Sequence, residues 1–229
     1  KKKKKRGGIV IGDPNLTPAI KADIVLPKFV RSKRTQEDQK TILQHAAQLK
    51  SALAGRYEWY SQCTTPEIVT RTRSAGNSDY VFVVNDRREF GTYVGQHGLV
   101  MEDGLPAEGK LTLLRDGGHV YDLQANREIP AQNTEHKVSW PVQLGPCEGR
   151  VFLVTPTPIA AVKITGAQST PAGKPLELLV SVLDSKSKTI PAVIPLQVKI
   201  TDPAGRVAEF SGYYGAEQGQ LPLKLDIAG

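Results

Sequence analysis

From Ile68 to the C-terminus, apolar and polar side chains alternate in short runs, and turn-forming residues interrupt the runs every few positions. A period of two sends successive side chains to opposite faces of an extended chain, so each run reads as a strand with one face on a core. The pattern predicts strands over 68–72, 80–85, 111–115, 119–123, 138–144 and 151–155, parted by turn signals at Asn85-Asp86, Asp116-Gly117-Gly118 and Glu148-Gly149. The stretch LTLLRDGGHVYDL reads as a hairpin, with apolar arms on an Asp-Gly-Gly turn. Pro156 and Pro158 break the series, and a second one follows over 159–165, 176–183, 193–201, 206–211 and 220–227. In the second series, Asp202-Pro203-Ala204-Gly205 reads as a tight hairpin turn.

Strands at this spacing without intervening helices predict a mainly β chain of two small antiparallel β-sandwich domains. The second series has five strands where a sandwich commonly has about seven, so strand 220–227 is expected to leave an unpaired edge.

Upstream the periodicity changes. Residues 36–54 predict the one N-terminal amphipathic helix: Ile42, Ala46, Leu49 and Leu53 share a face, and Leu43 and Ala47 widen it. Thr35 suits the N-cap, Glu37 and Asp38 suit the first turn, and Gly55 suits the stop. His45 is expected to face away from the stripe, in solvent. Before the helix, the lysines ending at Gly7-Gly8 read as the close of a helix, Ile9-Val10-Ile11 as a buried strand, and 13–27, with Pro14, Pro18 and Pro27, as an extended linker. The expected organisation is a remnant strand and linker over 1–34, a helix and connector over 35–67, and sandwiches over 68–157 and 158–229. Both ends read as cut, the second sandwich being truncated.

The net charge of +7 lies almost wholly in residues 1–6; the remainder carries 24 basic and 23 acidic side chains. A terminal run is a solvated tail rather than a basic folded face, which argues against nucleic-acid binding. No apolar run approaches the roughly 20 residues of a membrane-spanning helix, so membrane insertion is not expected. Cys63 and Cys147 are too few for a zinc site, leaving either two free thiols or one disulfide.

Two stretches carry family resemblances. DYVFVVNDRREFGTYVG, VYDLQANREIPA and WPVQLGPCEGRVFLV resemble the small C-terminal β domain of β-galactosidase-like glycoside hydrolases. Asn85 closes a strand there, Val120-Tyr121-Asp122-Leu123 forms a V-x-D-L element, and Leu144-Gly145-Pro146 leads to Leu153. The chain departs at Gln124-Ala125-Asn126-Arg127, where the family commonly has a Thr-Gly turn. The segment around Gly7-Gly8 is similar to the end of the flavodoxin-like trimerisation domain preceding that module. The second stretch, from PAGKPLELLVSVLD to LPLKLDIAG, resembles macroglobulin-type and immunoglobulin-like domains of bacterial surface proteins.

Glycoside hydrolysis needs two carboxylates flanking the sugar. Asp79, Asp86, Glu89, Glu102 and Asp103 do not follow the strand–helix repeat of a barrel, and Glu102-Asp103 reads as a solvated turn before Gly104. No G-x-S-x-G elbow occurs, Gly7-Gly8 is in the wrong context for a phosphate loop, and His97, His119 and His136 lack metal-ligand spacing, His119 facing solvent. No catalytic residue and no cofactor is therefore expected. Aromatic residues remain as contact candidates for a glycan or a partner: Trp59 and Tyr60, beside Tyr57, and Tyr213 and Tyr214. The resemblances imply non-catalytic accessory modules of a larger extracytoplasmic, glycoside-hydrolase-like protein, serving packing, spacing and glycan contact. The alternative is a stand-alone surface or adhesion protein that binds a protein partner through its immunoglobulin-like domain.

Overall fold

The computed structural model describes residues 8–13, 19, 21–26, 36–96, 98, 100–171 and 173–226. The basic run 1–6, Gly7, the Thr35 cap, Pro14, Pro18 and Pro27 of the linker, and His97 lie outside them. The described residues are mainly β with one helix, and contacts divide the chain into two compact units, residues 1–59 and 60–229.

In the first unit, β1 (Ile11–Gly12) pairs in parallel with β2 (Ile24–Val25). The linker reading of 13–27 is thus corrected at Ile24, which is buried. Asp23 fixes the pairing, because its carboxylate accepts from Val10 N at 3.0 Å and its amide donates to Val10 O at 2.8 Å. The strand read at Ile9–Ile11 begins only at Ile11, which is exposed rather than buried. Helix α1 spans Gln36–Leu53. It stops as the sequence predicts, with Gly55 at φ +72° and the Leu53 carbonyl accepting from Arg56 N and Tyr57 N. Its shaded side runs through Asp38, Thr41, His45, Leu49 and Leu53, while Ile42 and Leu43 are about half exposed. His45 is therefore half-buried: it lies one turn from Thr41 and from Leu49, on that shaded side.

The second unit opens with β3 (Ser61–Cys63), β4 (Ile68–Ala75) and β5 (Ser78–Asn85), then β6 (Arg88–Val94), β7 (Val100–Gly104) and β8 (Ala107–Leu114). It continues through β9 (His119–Asp122), β10 (Arg127–Ile129), β11 (Gln132–Thr134), β12 (Lys137–Leu144) and β13 (Gly149–Thr155). A five-stranded sheet in the order β10-β9-β13-β5-β4 faces a four-stranded sheet β11-β12-β8-β3. Between them Val81, Val83, Leu111, Leu113, Val138, Trp140 and Phe152 form the core, with Trp140 and Phe152 edge-on at 5.6 Å. β12 shows how sequence becomes sheet. Val138, Trp140, Val142 and Leu144 point inward, and Pro141 sits where β11 has ended, since β11 reaches only Ser139. A missing N–H is harmless on that free side.

The predicted Asp116-Gly117-Gly118 hairpin is not formed. β8 pairs with β12 and β3, whereas β9 pairs with β13 and β10 in the opposite sheet. Both sheets face one core, so the apolar alternation is the same for a hairpin and for a crossover. Gly118 allows the crossing: a Cβ there would lie 2.8 Å from Val154 Cγ1. Glu102 and Asp103 belong to β7, which makes a two-stranded ribbon with β6, and are not a turn.

The second sandwich holds β14 (Ala161–Gly166), β15 (Leu176–Leu183), β16 (Ile194–Val198), β17 (Gly212–Ala216) and β18 (Gln220–Leu225). Its sheets are β14-β15-β18 and β16-β17, the latter supplied partly by a Gly-Tyr-Tyr-Gly strand absent from the sequence expectation. Residues 206–211, expected as a strand, make one bridge, Thr201 with Val207. Side chains satisfy the backbone there instead. Ser211 Oγ accepts from Ile200 N and donates to Ile200 O, and the Asp202 carboxylate accepts from Arg206 N and Nε. The turn at Asp202–Gly205 survives, with Gly205 N donating to Asp202 O.

The two sandwiches share packing. Leu153 of β13 is fully buried in the second core, which also receives Tyr80, Tyr121, Leu123 and Ile159 beside Val180, Val182, Ile190 and Ala216. The Tyr121 hydroxyl accepts from Ile159 N at 2.8 Å. The β4–β5 turn seats against Pro191, where a Cβ on Gly76 would lie 1.9 Å from the Pro191 oxygen.

Candidate functional site

Asn85 and Asp122 each anchor a buried polar staple. Asn85, 2% exposed, donates from Nδ2 to the Leu105 and Gly145 carbonyls at 2.7 Å each and accepts from Arg87 N at 3.0 Å. Asp122, 1% exposed, accepts from Gln124 N and Ala125 N on one oxygen and from Arg150 on the other, at 3.0 Å. Arg150 also donates to Glu148 at 2.7 Å. Glu148 in turn accepts from Gly145 N at 2.6 Å. The Gly145 amide first, and then Arg150, hold the Glu148 carboxyl below its usual range, while Glu148 foremost raises the Arg150 guanidinium.

A second cluster centres on buried Asp79, which accepts from Tyr60 Oη at 3.0 Å, Ser74 Oγ at 2.6 Å and Arg115 at 2.6 Å. Burial, followed by the Asp79 charge, pushes the Tyr60 hydroxyl up. Each acid is engaged by donors that fix backbone, an arrangement that builds a scaffold.

The aromatic candidates separate. Tyr60 is 44% exposed, but its hydroxyl is held by Asp79. Tyr57 and Trp59 are exposed and meet edge-to-face at 5.0 Å and 87°, so they do not offer one flat platform. Tyr213 and Tyr214 alternate on β17. Tyr213 projects outward, 84% exposed, while Tyr214 packs on the second core with its hydroxyl donating to Phe210 O.

Cys63 and Cys147 are free thiols, so the disulfide alternative is not realised. Their sulfurs lie against different glycines, Gly109 and Gly104 respectively. His119 is half-buried and paired with Glu128 at 2.8 Å instead of facing solvent, and His136 meets Asp116. Among the described residues, no three of His, Cys, Asp or Glu gather as a metal-binding group, and no helix is long and apolar enough to cross a membrane.

The feature that sequence reasoning missed is the flank of the second sandwich. Directly opposed residues of an antiparallel pair share a face. Ile164, Val180 and Leu221 form one row across β14-β15-β18, and their exposures are 64%, 4% and 8%. Val162 lies opposite Val182 and is 55% exposed where its partner is 1%. Among the described residues, therefore, nothing covers the core side of β14, an edge strand whose outer backbone groups have no strand partner. The signal in the sequence was the low strand count, which pointed to 220–227. β18 is indeed an edge, but its Leu221, Leu223 and Leu225 are buried and Pro222 interrupts its free donors. On the outer side of the same sheet, Thr165, Leu179, Pro222, Glu177 and Lys224 line a hollow of about 600 Å³.

No protein-family model matches this chain, and no curated protein matches it.

Proposed function

We propose that this chain supplies non-catalytic β modules of a larger extracytoplasmic, glycoside-hydrolase-like protein, in which they pack against and space neighbouring parts. The observation that carries this reading is the shared core of the two sandwiches, where Leu153, Tyr80, Tyr121 and Leu123 of the first complete the second. Such a seam makes the pair one stiff body, which is what a spacer requires. The staples on Asn85, Asp79 and Asp122 support it, since they commit buried acids and amides to holding loops.

The test is backbone ¹⁵N relaxation on the full chain. Amides of β8 and β15 should report one rotational correlation time; two independent times would refute stiff spacing. A glycoside turnover abolished by Glu102→Gln or Asp103→Asn would refute the non-catalytic assignment. Glycan contact, read through affinity gels, rests on Tyr213 and Trp59 and is abandoned if Tyr213→Ala and Trp59→Ala leave retention unchanged. The alternative, partner binding through the second sandwich, is favoured specifically by the uncovered side of β14.

A further inference from the structure

We propose that β14 is a docking edge for an extended segment of a partner protein, apolar at two alternate positions and acidic at the one between them. Three features set that chemistry. The free backbone edge of β14 accepts a strand, because only an extended chain presents donors and acceptors at the matching spacing. Val162 and Ile164, two residues apart on the uncovered core side, call for apolar side chains at alternate positions of the incoming strand. Lys163 projects to the opposite face between them and, among the described residues, makes no ion pair, so a carboxylate suits the position across from it.

A second copy of this chain fits less well. The antiparallel self-pairing that joins the two apolar faces sets Val162 opposite Ile164 of the copy. It therefore places Lys163 directly opposite its own counterpart, and like charges across a strand pair repel. An edge lysine is also a common guard against self-association. At β18 the equivalent edge carries Pro222, which removes a donor from the ladder. The inference goes beyond stiff spacing and rests on the partner-binding reading of the second sandwich.

The experiment titrates the ¹⁵N-labelled full chain with the peptide acetyl-STVEVTS-amide. Saturable shifts are expected at the amides of residues 161–166, with a Kd below about 1 mM. Acetyl-STVKVTS-amide should bind about tenfold more weakly, and Lys163→Glu should reverse that preference by a similar factor. The double variant Val162→Thr, Ile164→Thr changes exposed positions and should keep the native spectrum while losing the peptide-induced shifts. The proposal is overturned by the absence of saturable shifts, by shifts centred on β18, or by equal binding of the glutamate and lysine peptides. Self-association of the free chain through 161–166 would also overturn it, by assigning the edge to a second copy.

Discussion

Arg115 crosses from one sheet to the other and is the position at which a single substitution tests the fold most directly. Its guanidinium donates to Asp79 at 2.6 Å and to the carbonyls of Val154, Asn77 and Gly117. The side chains of Arg115 and Asp79 are 12% and 6% exposed. Arg115→Met keeps the aliphatic stem and leaves Asp79 charged inside the protein. Removing one member of a buried ion pair costs about 3–5 kcal/mol. Tyr60 and Ser74 still donate to Asp79, which places the loss near 3 kcal/mol. The carbonyl of fully buried Val154 loses a donor and adds about 1 kcal/mol. Arg115→Met should therefore lose about 4 kcal/mol in a guanidinium titration followed by Trp fluorescence, Trp140 being fully buried. Adding Asp79→Asn removes the stranded charge and should restore about 2 kcal/mol of that loss. A loss below about 1 kcal/mol, or additivity of the two changes within about 0.5 kcal/mol, would refute the account of this cluster.

Three other outcomes follow from the geometry. Glu148 has its pKa lowered in the native state, so its stabilisation is complete above the ordinary glutamate pKa and disappears as pH falls through the native value. Glu148→Gln should be less stable than the parent near pH 7, with the two urea midpoints converging as the pH falls below the ordinary glutamate range. Gly76→Ala places a Cβ in the left-handed region and 1.9 Å from the Pro191 oxygen, and should lower stability by more than about 1 kcal/mol by thermal melting. A thiol-reactive dye without reductant should titrate both cysteines, exposed Cys147 faster than half-buried Cys63; a chain that is unreactive until reduced would contradict the free-thiol geometry.

Strand positions were legible because a period of two survives whichever sheet a strand joins. Sheet membership was not. β8 and β9 put Leu111, Leu113 and Val120 into one core from opposite sides, and nothing in LTLLRDGGHVYDL distinguishes that from a hairpin. Strand β17 was hidden because Gly212 and Gly215 are poor strand formers, yet Ala216 and Tyr214 supply its inward row. Residues 206–211 read as strand within the alternating series, and lost that role to the Ser211 and Asp202 side chains. The aromatic candidates were visible as residue types, but which face Tyr213 and Tyr214 take depends on the register with Gln197 and Leu196. The uncovered side of β14 is an absence of neighbours, which only the tertiary arrangement reveals.

The seam around Leu153 bears on how this polypeptide is handled at the bench. The proline pair at 156 and 158 is an inviting place to divide it into two expression clones. A clone ending there would carry Tyr80, Tyr121, Leu123 and Leu153 bare to water, and its complement would begin with an open greasy hollow beside Ile190 and Ala216. Each half should precipitate or demand detergent, whereas the pair made together should stay in solution.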